Sequence, residues 1–218
     1  MKKIIIAITG VLTILLLSGC NKTISLDSNP DVAVIDKSLE TLDDAKVIKM
    51  NKHAFSLSDY WDITVDNQEF GTIKGEFLPL LGDVYTLRDK ENNILAYETE
   101  DIATFSNKAQ IYDYNGVKTG LMTGKFWSLT KDFTITDQEN KKIARLKADW
   151  TLFLKSAKIY NDKDQVQYDI QQNFSVFNKE WTITQKWDGS VTGKNAVLLT
   201  AILNETTENH SSGHSSKK

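Results

Sequence analysis

Across 218 residues there is one cysteine, Cys20, and there are three histidines, His53, His210 and His214. A single thiol excludes an intrachain disulfide, so folding must rest on a hydrophobic core alone. Scarce histidine narrows the chemistry. Two of the three lie near the C-terminus among Ser and Gly, and no Ser-His or Cys-His pairing can be built. The spacing of His210 and His214 suits one helical face, but a Ser-Gly-Ser context does not hold a helix, and no metal site is expected there. Basic excess is also missing: 26 Lys and Arg stand against 29 Asp and Glu, which argues against nucleic acid as a partner.

Other signatures are incomplete. The pairs Gly71/Gly75 and Gly120/Gly124 are followed by strand-like sequence rather than a helix start, so they read as bends of a tight barrel, not as phosphate loops. Asn161-Asp162-Lys163-Asp164, with Asp169 nearby, lacks the glycine and closing glutamate of a calcium loop and reads as a polar hairpin tip. The acidic groups Asp43-Asp44, Glu98 with Glu100-Asp101, and Asp132 have no pocket in view that would make one of them a general acid or base. No catalytic residue and no cofactor is expected.

No apolar run is long enough for a permanent membrane span. The longest, Ile4 to Leu17, has 14 residues and reaches about 21 Å, against a hydrocarbon core of roughly 30 Å. It follows Lys2 and Lys3 and precedes Ser18, Gly19 and Cys20, the order of a secretory signal peptide. Leu17-Ser18-Gly19-Cys20 resembles the bacterial lipobox. That resemblance implies cleavage before Cys20, diacylglycerol on its sulfur and a further acyl chain such as palmitate on the new amino terminus, and two or more chains anchor a protein stably. The expected location is the outer face of the plasma membrane, or an outer membrane where the source has one. Loss of residues 1–19 removes two lysines and no acid, leaving a net charge of −5.

Domain limits follow composition. Residues 20–45 read as the lipidated cysteine and a polar tether, 46–204 as one domain, and 205–218 as a disordered tail with nothing apolar to bury. Between them, short β-branched and aromatic runs alternate apolar with polar positions, as in Ile63-Thr64-Val65, Phe133-Thr134-Ile135-Thr136 and Trp181-Thr182-Ile183-Thr184. Turn residues separate the runs at Asp66-Asn67, Asn92-Asn93, Asn115-Gly116 and Asp188-Gly189. Self-comparison adds a period. Ile111-Tyr112 recurs as Ile159-Tyr160, and residues 131–136 recur as 179–184, both displaced by 48. Gly71, Gly75, Phe77 and Ile94 recur fainter as Gly120, Gly124, Phe126 and Ile143, displaced by 49. The period predicts a unit of about four strands used three times.

One segment breaks the strand pattern: Ala196 to Leu203, AVLLTAIL, is apolar on every side. Its Ala and Leu content favours a helix buried all round, with a fully buried final strand as the alternative that periodicity leaves open. A helix about 10 Å across does not fit an eight-stranded barrel, whereas about twelve strands enclose it and leave no free edge. The expected fold is therefore mainly β, a closed antiparallel barrel of about twelve strands around a hydrophobic C-terminal helix.

The stretch GLMTGKFWSLTKDFTITDQENKKIARLKADW at 120–150, followed by Ile159-Tyr160 and AVLLTAIL, resembles the LURP-one-related proteins within the Tubby C-terminal-like and phospholipid scramblase superfamily. The resemblance, over residues 46 to 203, implies that same helix-filled barrel, and its motifs speak to fold rather than activity. Tubby proteins that bind phosphoinositides use clustered basic residues; here Lys141, Lys142, Arg145 and Lys147 form only a weak, interrupted group. Among the tryptophans, Trp127 is the candidate exposed ligand contact, because it and Phe126 must face opposite ways in one strand. The function expected is a non-catalytic binding or scaffolding module at the cell envelope with a protein or lipid partner. The alternatives are recognition of phospholipid or another amphiphile, and an envelope hydrolase.

Overall fold

The computed structural model describes residues 31–53, 59–78, 82–100, 108–124, 131–150, 155–174 and 179–212. Its strands are β1 Val47–Lys52, β2 Tyr60–Val65, β3 Gln68–Leu78, β4 Gly82–Asp89, β5 Ile94–Glu100 and β6 Lys108–Asp113. They continue as β7 Lys118–Gly124, β8 Lys131–Thr136, β9 Lys142–Trp150, β10 Lys155–Tyr160, β11 Val166–Phe174 and β12 Lys179–Gln185. Each pairs antiparallel with the next, and β12 returns to β1, with Val47 opposite Thr184, to close the barrel. The four-strand period is visible in the element starts: β1, β5 and β9 begin at Val47, Ile94 and Lys142, and β2, β6 and β10 at Tyr60, Lys108 and Lys155.

A shorter period lies inside it. Asp89, Asp113, Asp137 and Asn161, spaced every 24 residues, each sit at or immediately after the end of a strand and cap the following turn. At each tip the side-chain oxygen accepts the backbone N–H four residues on, at 2.8 Å from Asn93, 2.8 Å from Val117, 2.9 Å from Lys141 and 3.0 Å from Gln165. The residue three on has positive φ: Asn92 at 69°, Gly116 at 79°, Asn140 at 62° and Asp164 at 62°. Only short polar residues and glycine enter that region cheaply, which is why Asn, Gly and Asp recur there. The stretch at Asn161, read from sequence as a polar hairpin tip, is thus the fourth copy of this turn.

Alternation sends one side chain in two to the interior. Trp61, Ile63 and Val65 of β2, Phe133 and Ile135 of β8, and Trp181 and Ile183 of β12 are buried. They surround a helix, α2, spanning Gly193–Ser212, whose residues from Ala196 to Leu203 are all at 0% exposure. The helix reading of AVLLTAIL is therefore the correct one, and the buried-strand alternative falls. Two polar residues of the threaded helix are satisfied within the wall or by the helix itself: Asn204 Oδ1 accepts from Trp181 Nε1 at 3.3 Å, and Thr200 Oγ1 donates to the Ala196 carbonyl at 2.8 Å. Gly71, Gly75, Gly120 and Gly124 all lie within strands β3 and β7, and none opens a helix.

Two boundaries differ from expectation. The stretch read as polar tether contains a helix, α1, over Val32–Asp43. Val32, Ile35, Leu39 and Leu42 form its apolar stripe; Ile35 and Leu42 are wholly buried in the barrel core, and Leu39 packs against that core. At the other end α2 runs on to Ser212, so His210 belongs to a helix rather than to a disordered tail. His214 lies outside the described residues, as do residues 1–30 with the signal segment and Cys20.

Candidate functional site

Consecutive strands alternate in direction, so the tight turns β2–β3, β4–β5, β6–β7, β8–β9 and β10–β11 share one end of the barrel with the start of β1 and the end of β12. Helix α1 lies over this mouth and packs against α2 and β5. It is fixed at its middle and at its C-terminal end. Ser38 Oγ donates to Asp89 Oδ2 at 3.2 Å, and the last residue, Asp43, accepts the Gly193 N–H through Oδ1 at 2.7 Å, capping the first turn of α2. Gly193 is required by this clasp, because a Cβ there would sit 2.1 Å from the Leu42 carbonyl oxygen.

The clasp perturbs two ionisable groups. Burial pushes the Asp43 carboxyl up from its ordinary value, against the lowering effect of the bond from Gly193 and the charge of Lys194. Burial likewise pushes the Tyr168 phenol up to about 12, and the negative charge of Asp43 adds to it.

Between α1 and the rim opens a groove of about 640 Å³, lined on the helix side by Ala33, Val34, Lys37 and Ser38. The barrel supplies Val65, Gln68, Glu69 and Phe70 from the β2–β3 turn and Asp89, Lys90 and Glu91 from the β4–β5 tip. Buried Val65 and Phe70 give it an apolar floor, while exposed Lys37, Glu69, Lys90 and Glu91 place both signs of charge along it. Asp89 is engaged: its two oxygens accept from Asn93 N, Asn93 Nδ2 and Ser38. Such a mixed concavity suits a ligand or peptide with an apolar body and polar ends.

The residues singled out in the sequence are scattered. Cys20, with Leu17, Ser18 and Gly19, and Trp127, between β7 and β8, lie outside the described residues. Asp43 is a helix cap; Glu98 is buried within the barrel wall; Asp132 is exposed on β8. These carboxyls share no open cleft. Arg145, the centre of the weak basic group, pairs with Asp164 at 2.9 Å and lies over the Tyr160 ring at 5.2 Å, so its charge is committed to the wall. Among the described residues no group of three His, Cys, Asp or Glu is arranged to hold a metal ion, and no helix is long and apolar enough to cross a membrane.

Two features escaped sequence reasoning. The groove depends on α1, whose 32, 35, 39, 42 stripe was the available signal. The second is Trp187: just after β12 beside the Asp188-Gly189 turn, it is 58% exposed, whereas Trp61 and Trp181 are at 0%.

A closed twelve-stranded antiparallel barrel filled by its own C-terminal helix defines the Tubby C-terminal-like class of fold. No protein-family model matches the chain, and no curated protein matches its sequence. Among solved structures, the chain is similar to the X-ray structure of the Arabidopsis thaliana protein AT5G01750, with a TM-score of 0.53 and 15% identity. The likeness covers 78% of this chain and 98% of the plant protein, so what is shared is a whole domain. At that identity it carries the fold alone.

Proposed function

We propose that this chain is a bacterial lipoprotein, anchored through acylated Cys20 to the outer face of the plasma membrane, whose barrel is a non-catalytic binding module. The groove under α1 is its ligand site. The observation that carries the reading is that groove: about 640 Å³ with an apolar floor and charges of both signs along it. The lipobox-like Leu17-Ser18-Gly19-Cys20 supports the anchor, and the scattered carboxyls support binding over hydrolysis. The partner reached is a protein or peptide of the envelope, since opposed charges flanking an apolar floor match a polypeptide better than a uniformly charged headgroup.

Ala33→Trp fills the groove from the exposed side of α1 without touching Ile35 or Leu42. The variant is expected to lose the envelope protein recovered by crosslinking through Lys37 or Lys90 while keeping its unfolding transition. Recovery of the same partner at undiminished yield from Ala33→Trp refutes the assignment of the groove.

A further inference from the structure

The exposed large apolar residues among the described ones are Val32, Val34, Val117 and Trp187, at 50%, 36%, 52% and 58% exposure. All four are at the tight-turn end. Val32 and Val34 open α1 beside the β4–β5 tip, Val117 sits on the β6–β7 tip, and Trp187 follows the end of β12. They therefore occupy three separate sectors of one rim, and three such points define a plane across the barrel mouth.

Trp187 is held there by its neighbours. The Lys186 N–H donates to the Gln167 carbonyl at 2.8 Å, and the Asp188 carbonyl accepts from Asn161 Nδ2 at 3.1 Å. The backbone on both sides is thus pinned while the indole stands in solvent beside Lys186. A fixed tryptophan next to a lysine is the pairing that settles at a membrane–water boundary.

The covalent route to a membrane ends at this same rim. Cys20 is eleven residues before Asp31, and a chain of that length spans at most about 40 Å. The anchor thus leads into the first turn of α1, which carries two of the four exposed residues. Charge on the rim is mixed: Lys90 adjoins Glu91, Lys163 lies between Asp162 and Asp164, and Trp187 itself lies between Lys186 and Asp188. The contact does not call for anionic lipid.

We infer that the tight-turn end rests on the bilayer carrying the Cys20 anchor, with Trp187 in the interface and Val32 and Val117 as the other contact points. The inference rests on the anchor reading above and adds an orientation to it. In that orientation the groove under α1 opens at the level of the headgroups.

The test uses the full acylated chain in zwitterionic phosphatidylcholine vesicles with bromine on the acyl chains, which quenches tryptophan at short range. Wild type, Trp187→Phe and Trp127→Phe are compared, after mass measurement of the lipid on Cys20. Bromolipid is expected to quench wild type and Trp127→Phe alike, and most of that quenching is expected to disappear in Trp187→Phe. Acylated protein that shows no quenching, or quenching that survives Trp187→Phe and vanishes in Trp127→Phe, overturns the orientation and leaves the anchor standing. A bare Cys20 sulfur in the exported protein overturns both.

Discussion

Replacing Gly193 with alanine puts a methyl group where the Leu42 carbonyl oxygen is only 2.1 Å and its carbon 2.6 Å from the new Cβ position. Backbone cannot give way as a side-chain tip can, so the end of α1 must retreat by more than an ångström to restore ordinary contact. That movement stretches the 2.7 Å bond from Gly193 N–H to Asp43, and loss of such a cap costs about 1 kcal/mol. Overpacking of a close contact adds about 1–3 kcal/mol. The usual benefit of Ala over Gly is small here, because Gly193 is the first helical residue and Thr192, whose carbonyl accepts from Ala196, is its cap. The expected loss is about 2–4 kcal/mol. With a urea slope of about 2 kcal/mol/M, the unfolding midpoint falls by roughly 1–2 M. Proteolysis within α1 should quicken in parallel, since Ile35 and Leu42 lose their seat. A Gly193→Ala variant as stable as the parent, with α1 equally protected, refutes the clasp between the two helices.

Two further outcomes follow from the same mouth. The Asp43 carboxyl has its pKa raised in the folded state, so between its ordinary value of 3.8 and the raised one the native state binds more protons than the unfolded chain. Stability contributed by this group is therefore gained as pH falls through that window and lost as pH rises through it. Asp43→Asn, which can still accept from Gly193, is expected to flatten that slope in denaturation curves taken across the window. Asp137→Ala removes the oxygen that accepts the Glu139 and Lys141 amides at 2.9 Å each, and is expected to cost about 1–2 kcal/mol by thermal unfolding, with the barrel otherwise intact.

How much was legible from sequence depends on what each residue had to do. The wall was legible because a strand with one face in the core must alternate, and Ile63, Phe133 and Trp181 could be assigned inward from spacing alone. AVLLTAIL was legible because a segment apolar all round has to be enclosed, and enclosure set the strand number. The period was found at 48 residues because similar strands recur at that distance, yet the more exact repeat is the 24-residue spacing of the tips. It was missed because it resides in a role rather than in a residue: Asp, Asp, Asp and Asn cap, while Asn, Gly, Asn and Asp supply positive φ. Helix α1 was missed for a different reason. Its twelve residues sit between polar flanks, and the stripe of Val32, Ile35, Leu39 and Leu42 is thin enough that net polarity outweighed period. The groove went with it, since a cavity between two elements has no sequence signature of its own.

The place where the 24-residue rhythm stops explains why the helix is in the barrel at all. A fifth tip of the same kind would fall at Gln185, but the Gln185 N–H instead donates to the Lys46 carbonyl at 3.0 Å, immediately before the strand that begins the sheet. The ladder has met its own first edge, so a thirteenth strand has no place to pair, and the chain turns inward through Val191 and Gly193. Closure joins Val47 to Thr184, which brings together nearly the whole length of the domain before either edge is satisfied. Such a contact is slow to form and leaves two unpaired edges exposed until it does. The apolar segment that must fill the interior follows all twelve strands in sequence, and α1, the first of the described elements, can seat Ile35 and Leu42 only once α2 is present. Sealing of the mouth by the Asp43–Gly193 clasp is thus coupled to closure of the wall, and the groove between them exists only in the completed domain.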